Sequence, residues 1–195
     1  VRRSKVANVN RQLVILIGFM GAGKSSVGRA LGQRLAWAFE DLDERIELRE
    51  QRKVSEIFRD SGEAEFRRAE HAALKELLTE LGGGAARIVA LGGGAFAQRE
   101  NIEVIEASEA ATVFLDADAA ELWRRCREQA AEQKTERPLL SSLHSFRDLY
   151  AARRPHYLKA WFRQDTSGKT VDEIVGALVE ALRLSPSREK RGKKN

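Results

Sequence analysis

Residues 18–25, Gly-Phe-Met-Gly-Ala-Gly-Lys-Ser, satisfy the pattern G-x-x-x-x-G-K-[ST]. Glycines at this spacing let backbone N–H groups turn inward around phosphate oxygens. A helix beginning at Lys24 would add the positive end of its dipole. Lys24 is then placed to reach the β- and γ-phosphates, and the Ser25 hydroxyl to ligate Mg²⁺. The flanks agree with this chemistry. Leu13 to Ile17 read LVILI, a short buried strand, and Val27, Leu31 and Leu35 follow at helical spacing. The chain is therefore expected to bind a nucleoside triphosphate.

Further along, Asp41-Leu42-Asp43 closes a second expected strand at 38–41. Ligands of open α/β sheets lie beyond the carboxyl ends of strands. Alternation along an extended backbone would point Asp41 and Asp43 the same way. One carboxylate could hold Mg²⁺ through water while the other meets an acceptor hydroxyl; Asp43 could equally cap a helix. Arg67 and Glu70 are three apart on a long helical stretch, so Glu70 can orient a guanidinium for bidentate recognition of a carboxylate. Gly92-Gly93-Gly94 follows the expected strand at 88–91 and offers unobstructed N–H donors to a close ligand. Arg137 closes a polar stretch, 130–140, of the kind that covers phosphates during transfer. Arg153 and Arg154 precede Pro155, which is expected to kink or interrupt their helix and help aim them. The three histidines have no metal-ligand spacing, Cys126 reads as an inert helix cysteine, and Trp37, Trp123 and Trp161 read as packing residues.

The elements that must carry these groups alternate. Strands are expected at 13–17, 38–41, 88–91 and 112–116, with a short one near 161–164. Helices are expected between them, including one at 54–58 broken from the next by Ser61-Gly62. Such alternation argues for a parallel α/β sheet covered on both faces. With 195 residues, 43% hydrophobic and 32% charged, the chain is expected to be globular, with a single core and at most a small appendage. A single cysteine excludes an internal disulfide. No apolar run approaches the ~20 residues that span a bilayer, and no apolar secretory segment opens the sequence, so the expected setting is the cytoplasm, with no membrane partner. The net charge of +5 resolves unevenly. Residues 1–12 and 185–195 carry +4 each, read as a loose lead-in and a disordered tail, leaving −3 on residues 13–184. A basic total therefore does not imply a nucleic-acid-binding domain.

Taken in order, GFMGAGKSS, DLD, DSGEAEFRRAE, LGGGAF, RPLL and RRPHY resemble shikimate kinase, over about residues 13–182. The resemblance implies a nucleoside-monophosphate-kinase-like fold: a five-stranded parallel sheet ordered 2-3-1-4-5, substrate-binding helices, and a lid at about 126–140. It implies transfer of the γ-phosphate of ATP to the 3-hydroxyl of shikimate, on the route to chorismate and the aromatic amino acids; a monomer is expected. By motif, Gly21, Ala22, Gly23, Lys24, Ser25 and Ser26 would cradle ATP. Ser25 would ligate Mg²⁺, with Asp41 contacting it through water. Asp43 would bind ring hydroxyls and is the candidate base. Arg67, Gly92, Gly93, Gly94 and Arg153 would hold shikimate, with Arg154 as the alternative in a shifted register. Arg137 would be the lid arginine by the phosphates. Arg125, or its competitor Arg127, and Lys169 would lie by adenine. The stretch before Arg137 is longer than in short family members. A kinase of another small polyol such as gluconate, and a non-catalytic nucleotide-binding module, are the rival readings.

Overall fold

A computed structural model of the chain describes residues 9–80, 85–133 and 142–187, without the side chains of residues 132 and 133. Five strands, β1 (Asn10–Ile17), β2 (Ala38–Asp41), β3 (Arg87–Ala90), β4 (Ala110–Asp116) and β5 (Phe162–Asp165), form one sheet. Its order is β2-β3-β1-β4-β5 and every pairing is parallel, as the resemblance implied. Seven helices connect or flank the strands: α1 (Lys24–Leu35), α2 (Leu42–Glu50), α3 (Val54–Glu80), α4 (Arg99–Ala107), α5 (Ala119–Gln133), α6 (Leu143–Tyr157) and α7 (Val171–Leu182).

The central strand explains the core. Val14, Ile15 and Leu16 of β1 are fully buried between β3 and β4, with Val14 opposite Ile88 on one side and Ala111 on the other. Side chains of this size stabilise the fold by about 1.5–3 kcal/mol each when removed from water. Leu31 and Leu35 of α1 and Leu178 and Leu182 of α7 close one face. Thr170 and Glu173 form a reciprocal capping box that fixes where α7 begins. At the carboxyl edge of the sheet, β1 is followed by Gly18, β2 ends at Asp41, and Gly92 lies two residues beyond β3.

Several boundaries depart from the sequence expectation. β1 begins at Asn10 rather than residue 13, because the Asn10 amide bonds the Glu109 carbonyl at 2.8 Å while the side chains stay exposed. Side-chain periodicity is blind to such main-chain pairing. Helix α5 runs through Gln133, so the first part of the stretch expected as a lid, residues 126–133, is helical. Ala, Glu and Gln there are strong helix formers. Ser187 bonds the Leu35 carbonyl at 3.0 Å, so residues 185–187 lie along the fold instead of leaving it. Pro155 does not interrupt α6, which continues to Tyr157. The expected break in α3 is present: Gly62 has φ 80° and ψ 172° inside an otherwise helical run.

Candidate active site

The loop between β1 and α1 wraps tightly enough to need glycine. At Gly21, with φ 78°, a Cβ would sit 2.6 Å from the Leu122 carbonyl oxygen and 2.8 Å from Cys126 Sγ. Gly23 caps α1 in the left-handed region without any side-chain acceptor, so the first-turn N–H groups of α1 face the cleft. Lys24 Nζ donates to the carbonyl oxygens of Gly18 and Phe19, both at 3.1 Å. These bonds hold the ammonium at the mouth of the loop. Ser25 Oγ donates to Asp41 Oδ2 at 2.6 Å, bringing two hard oxygen donors together at the base of the cleft.

The two aspartates come together by a different route from the one expected. The strand ends at Asp41, and Asp43 lies in the first turn of α2, not on extended backbone. No glycine or proline separates the elements, so the strand passes straight into a helix whose first-turn N–H groups need an acceptor. Asp41, rather than Asp43, is the cap: its Oδ1 accepts from the Asp43 amide at 3.1 Å. That frees the Asp43 side chain to line the cleft, while its Oδ1 is buried beside Gly92 without a hydrogen-bond partner. Burial, with the Asp41 charge adding to it, pushes the Asp43 pKa up to about 6 against the pull of Lys24 and Arg67.

Arg67 and Glu70 of α3 meet as their spacing predicts. The Arg67 guanidinium donates to Glu70 Oε2 at 2.8 Å and to Glu63 Oε1 at 3.0 Å, and lies 5.1 Å from the centre of the Phe66 ring. Glu70 is fully buried, and its Oε1 also lacks a partner. Burial raises the Glu70 pKa, with Arg67 opposing. The glycine triplet is explained by these neighbours. A Cβ on Gly92 would lie 2.7 Å from Asp43 Oδ1 and 3.2 Å from Glu70 Oε1. One on Gly94 would lie 2.5 Å from an Arg67 terminal nitrogen. Gly93 has room for a Cβ, 3.8 Å from both an Arg153 nitrogen and the Met20 amide; the Tyr157 hydroxyl donates to its carbonyl.

Two adjoining clefts result. The first, about 310 Å³, is lined by Met20, Lys24, Ser25, Asp41, Asp43, Gly92 and Gly93 among others. The second, about 320 Å³, runs along Gly21, Ala22, Gly23 and Ser26 to Arg125, Lys169 and Thr170. Gly21, Gly23, Ser26 and Gln129 border both. Arg125 donates to the Thr166 carbonyl at 2.7 Å and to Glu121 at 2.5 Å. Arg127 is exposed and not part of this lining. Lys169 bonds the Asp165 carbonyl at 2.8 Å. Arg153 stands 5.9 Å from the centre of the Phe19 ring, on the Gly93 side. Arg154 turns away to Asp116 at 2.8 Å. Arg137 and residues 134–141 lie outside the described residues.

Sequence reasoning passed over Glu63, Gln129, Tyr157 and Asp116. Asp116 was open to discovery, since it ends a strand at the same edge as Asp41. Tyr157 closes the RRPHY motif but was given no role there, and Gln129 had no local signal. Among the described residues no group of three or more His, Cys, Asp or Glu could hold a metal ion, and no helix is long and apolar enough to cross a membrane.

Comparison with known proteins returns a family model described as shikimate kinase, matched over residues 20–183. The chain is 33% identical over 179 residues to a shikimate kinase of Oceanobacillus iheyensis, covering 91% of this chain and 93% of that protein. It superposes with a TM-score of 0.76 on the shikimate kinase from Acinetobacter baumannii in complex with shikimate, at 30% identity, over 87% of this chain and 92% of that one. A gluconokinase from Sinorhizobium meliloti shares the fold alone, with a TM-score of 0.56 at 17% identity over 89% of this chain and 94% of that one.

Proposed function

The chain belongs to the shikimate kinase family, and we propose that the two clefts at the carboxyl edge of its sheet divide that family's reaction between nucleotide and acceptor. The reaction is transfer of the γ-phosphoryl group of ATP to the 3-hydroxyl of shikimate, a step towards chorismate and the aromatic amino acids. The observation that carries our assignment is convergence. Lys24, the Ser25–Asp41 pair, Asp43 and the Gly92–Gly93 backbone, contributed by three separate stretches of the chain, line one cleft.

In this reading Gly21 to Ser26 hold the phosphates through backbone N–H groups, and Lys24 exchanges its carbonyl partners for phosphate oxygens. Arg125 and Lys169 border the adenine end. Arg137, which lies outside the described residues, is assigned to the phosphates by the family resemblance alone. Shikimate is a small anion with several hydroxyls, so guanidinium groups and a carboxylate suit it better than an apolar slot. Arg67 and Arg153 take its carboxylate, and Gly92 to Gly94 let the ring approach the backbone. Asp43, which lines the cleft beside Lys24 and Gly92, accepts the reacting hydroxyl. Phosphoryl transfer depends chiefly on alignment and charge, so Asp43 acts by orienting that hydroxyl and taking its proton late.

The Ser25 hydroxyl and the Asp41 carboxylate fit Mg²⁺, a hard cation that takes one or two protein oxygens and fills its other positions with water and phosphate. When bound there, the ion would neutralise charge on the phosphates. Among the described residues both clefts are complete without a partner subunit, in keeping with action as a monomer; the setting proposed is the cytoplasm, where ATP is available, with no nucleic-acid or membrane partner.

The test is a coupled assay of ADP release with ATP and shikimate, and with gluconate in its place. Shikimate-dependent turnover is expected, with none on gluconate. Absence of turnover with shikimate would sink the reading.

A further inference from the structure

Asp116 is the buried charge for which the reaction as described has no use. It ends β4, its side chain is 4% exposed, and three donors saturate it. Oδ1 accepts the Tyr150 hydroxyl at 2.7 Å, while Oδ2 accepts Arg154 at 2.8 Å and Arg163 at 2.7 Å. Tyr150 and Arg154 lie one turn apart on α6 and bond each other at 3.1 Å. A single carboxylate thus grips that helix at two successive turns.

Helix α6 also carries Arg153. Neighbouring residues on an α-helix project about 100° apart, so docking Arg154 on Asp116 decides where Arg153 can point. It points to Phe19 and Gly93, at the acceptor side of the cleft. The aromatic contacts of Phe146 and Tyr150 with Phe19 hold α6 to the core, but apolar contact is weakly directional. Pro155 has no N–H, so the last turn loses one of its intrahelical bonds and leans more on tertiary anchors. At a side-chain radius of about 6 Å, a rotation of about 10° moves a group about 1 Å. A displacement of that size costs up to about 100-fold in a reacting complex.

We propose that Asp116 is a positioning residue for the acceptor: through Tyr150 and Arg154 it sets the rotation of α6, so that the Arg153 guanidinium meets the shikimate carboxylate. This rests on the assignment of Arg153 to shikimate. It gives Arg154, the alternative candidate, a different task from Arg153.

The experiment measures KM for shikimate and for ATP, and kcat, in the full chain and in Arg153→Ala, Arg154→Leu, Asp116→Asn and the double variant Arg153→Ala/Arg154→Leu. Arg154→Leu leaves Asp116 its Tyr150 and Arg163 partners, so it guards against loss of folding in Asp116→Asn. Arg153→Ala should raise the shikimate KM about 10- to 100-fold, the range for losing a charged hydrogen bond. Arg154→Leu and Asp116→Asn should raise it about tenfold, with the ATP KM within about twofold of wild type. In the double variant, removing Arg154 should add less than about twofold to the effect of Arg153→Ala, because the anchor acts through Arg153. A shikimate KM unchanged in Arg154→Leu, an equal rise in both KM values, or full additivity would overturn the proposal. An unchanged shikimate KM in Arg153→Ala would instead overturn the substrate assignment on which it rests.

Discussion

Replacing Asp43 by Asn should stabilise the protein while abolishing its activity. Asp43 is a carboxylate buried at the wall of the cleft, with Asp41 as a neighbour and one oxygen unpaired. Its pKa rises from 3.8 to about 6 on folding, so the folded state binds a proton more tightly than the unfolded chain does. Stability from this group is therefore full below pH 3.8, falls as pH rises from 3.8 to about 6, and is lowest above that. A rise of that size corresponds to about 3 kcal/mol, which relaxation around the carboxylate and water in the cleft reduce to about 2 kcal/mol. Asn has nearly the same shape and no charge. At pH 8 the variant should gain about 2 kcal/mol in urea unfolding, or about 4–8 °C in Tm for a chain of this size. The gain should shrink as pH is lowered through 6 towards 4. Coupled-assay turnover should fall at least about 100-fold. A variant less stable than wild type at pH 8, or a gain independent of pH, would refute the account of Asp43 as a charge held at a cost for function.

The same carboxylate predicts a pH profile. As pH drops through about 6, Asp43 takes up a proton and kcat/KM for shikimate should fall about tenfold per pH unit, read across buffers at constant ionic strength. Lys24→Met should cut kcat by at least about 1,000-fold in the coupled assay, since the transferring group loses its positive partner. Gly94→Ala puts a methyl group 2.5 Å from Arg67; the shikimate KM should rise about tenfold with the ATP KM unchanged, a split that initial-rate kinetics resolve.

The parts of this site legible in the sequence are those whose chemistry lies within one segment. The phosphate loop is local: glycine spacing, Lys24 and Ser25 occupy eight consecutive residues, and a buried run and a helical period flank them. Arg67 and Glu70 are equally local, because three residues along a helix bring two side chains to one face, and they do meet at 2.8 Å. The break at Gly62 could be anticipated for the same reason. The division between Asp41 and Asp43 could not. It turns on whether residue 42 is strand or helix, and the polar stretch after it has no periodicity strong enough to decide.

What the sequence by itself determined is the chemistry on offer: a triphosphate loop, two carboxylates, a braced arginine and a glycine triplet with unobstructed N–H donors, in an alternating α/β order. Tertiary structure alone decided the assignments that depend on distance between segments. It set Arg153 towards Gly93 and Arg154 towards Asp116, two neighbours that no spacing rule separates. It put Arg125 in the cleft and left Arg127 outside it. It gave the three glycines different tasks, since Gly92 is confronted by Asp43 and Glu70 and Gly94 by Arg67. The physical reason is common to all three. Periodicity records which way a side chain leaves its own helix or strand, but the partner it meets is set by how separate elements pack, and residues such as Asp116 and Arg154 are 38 positions apart in the chain.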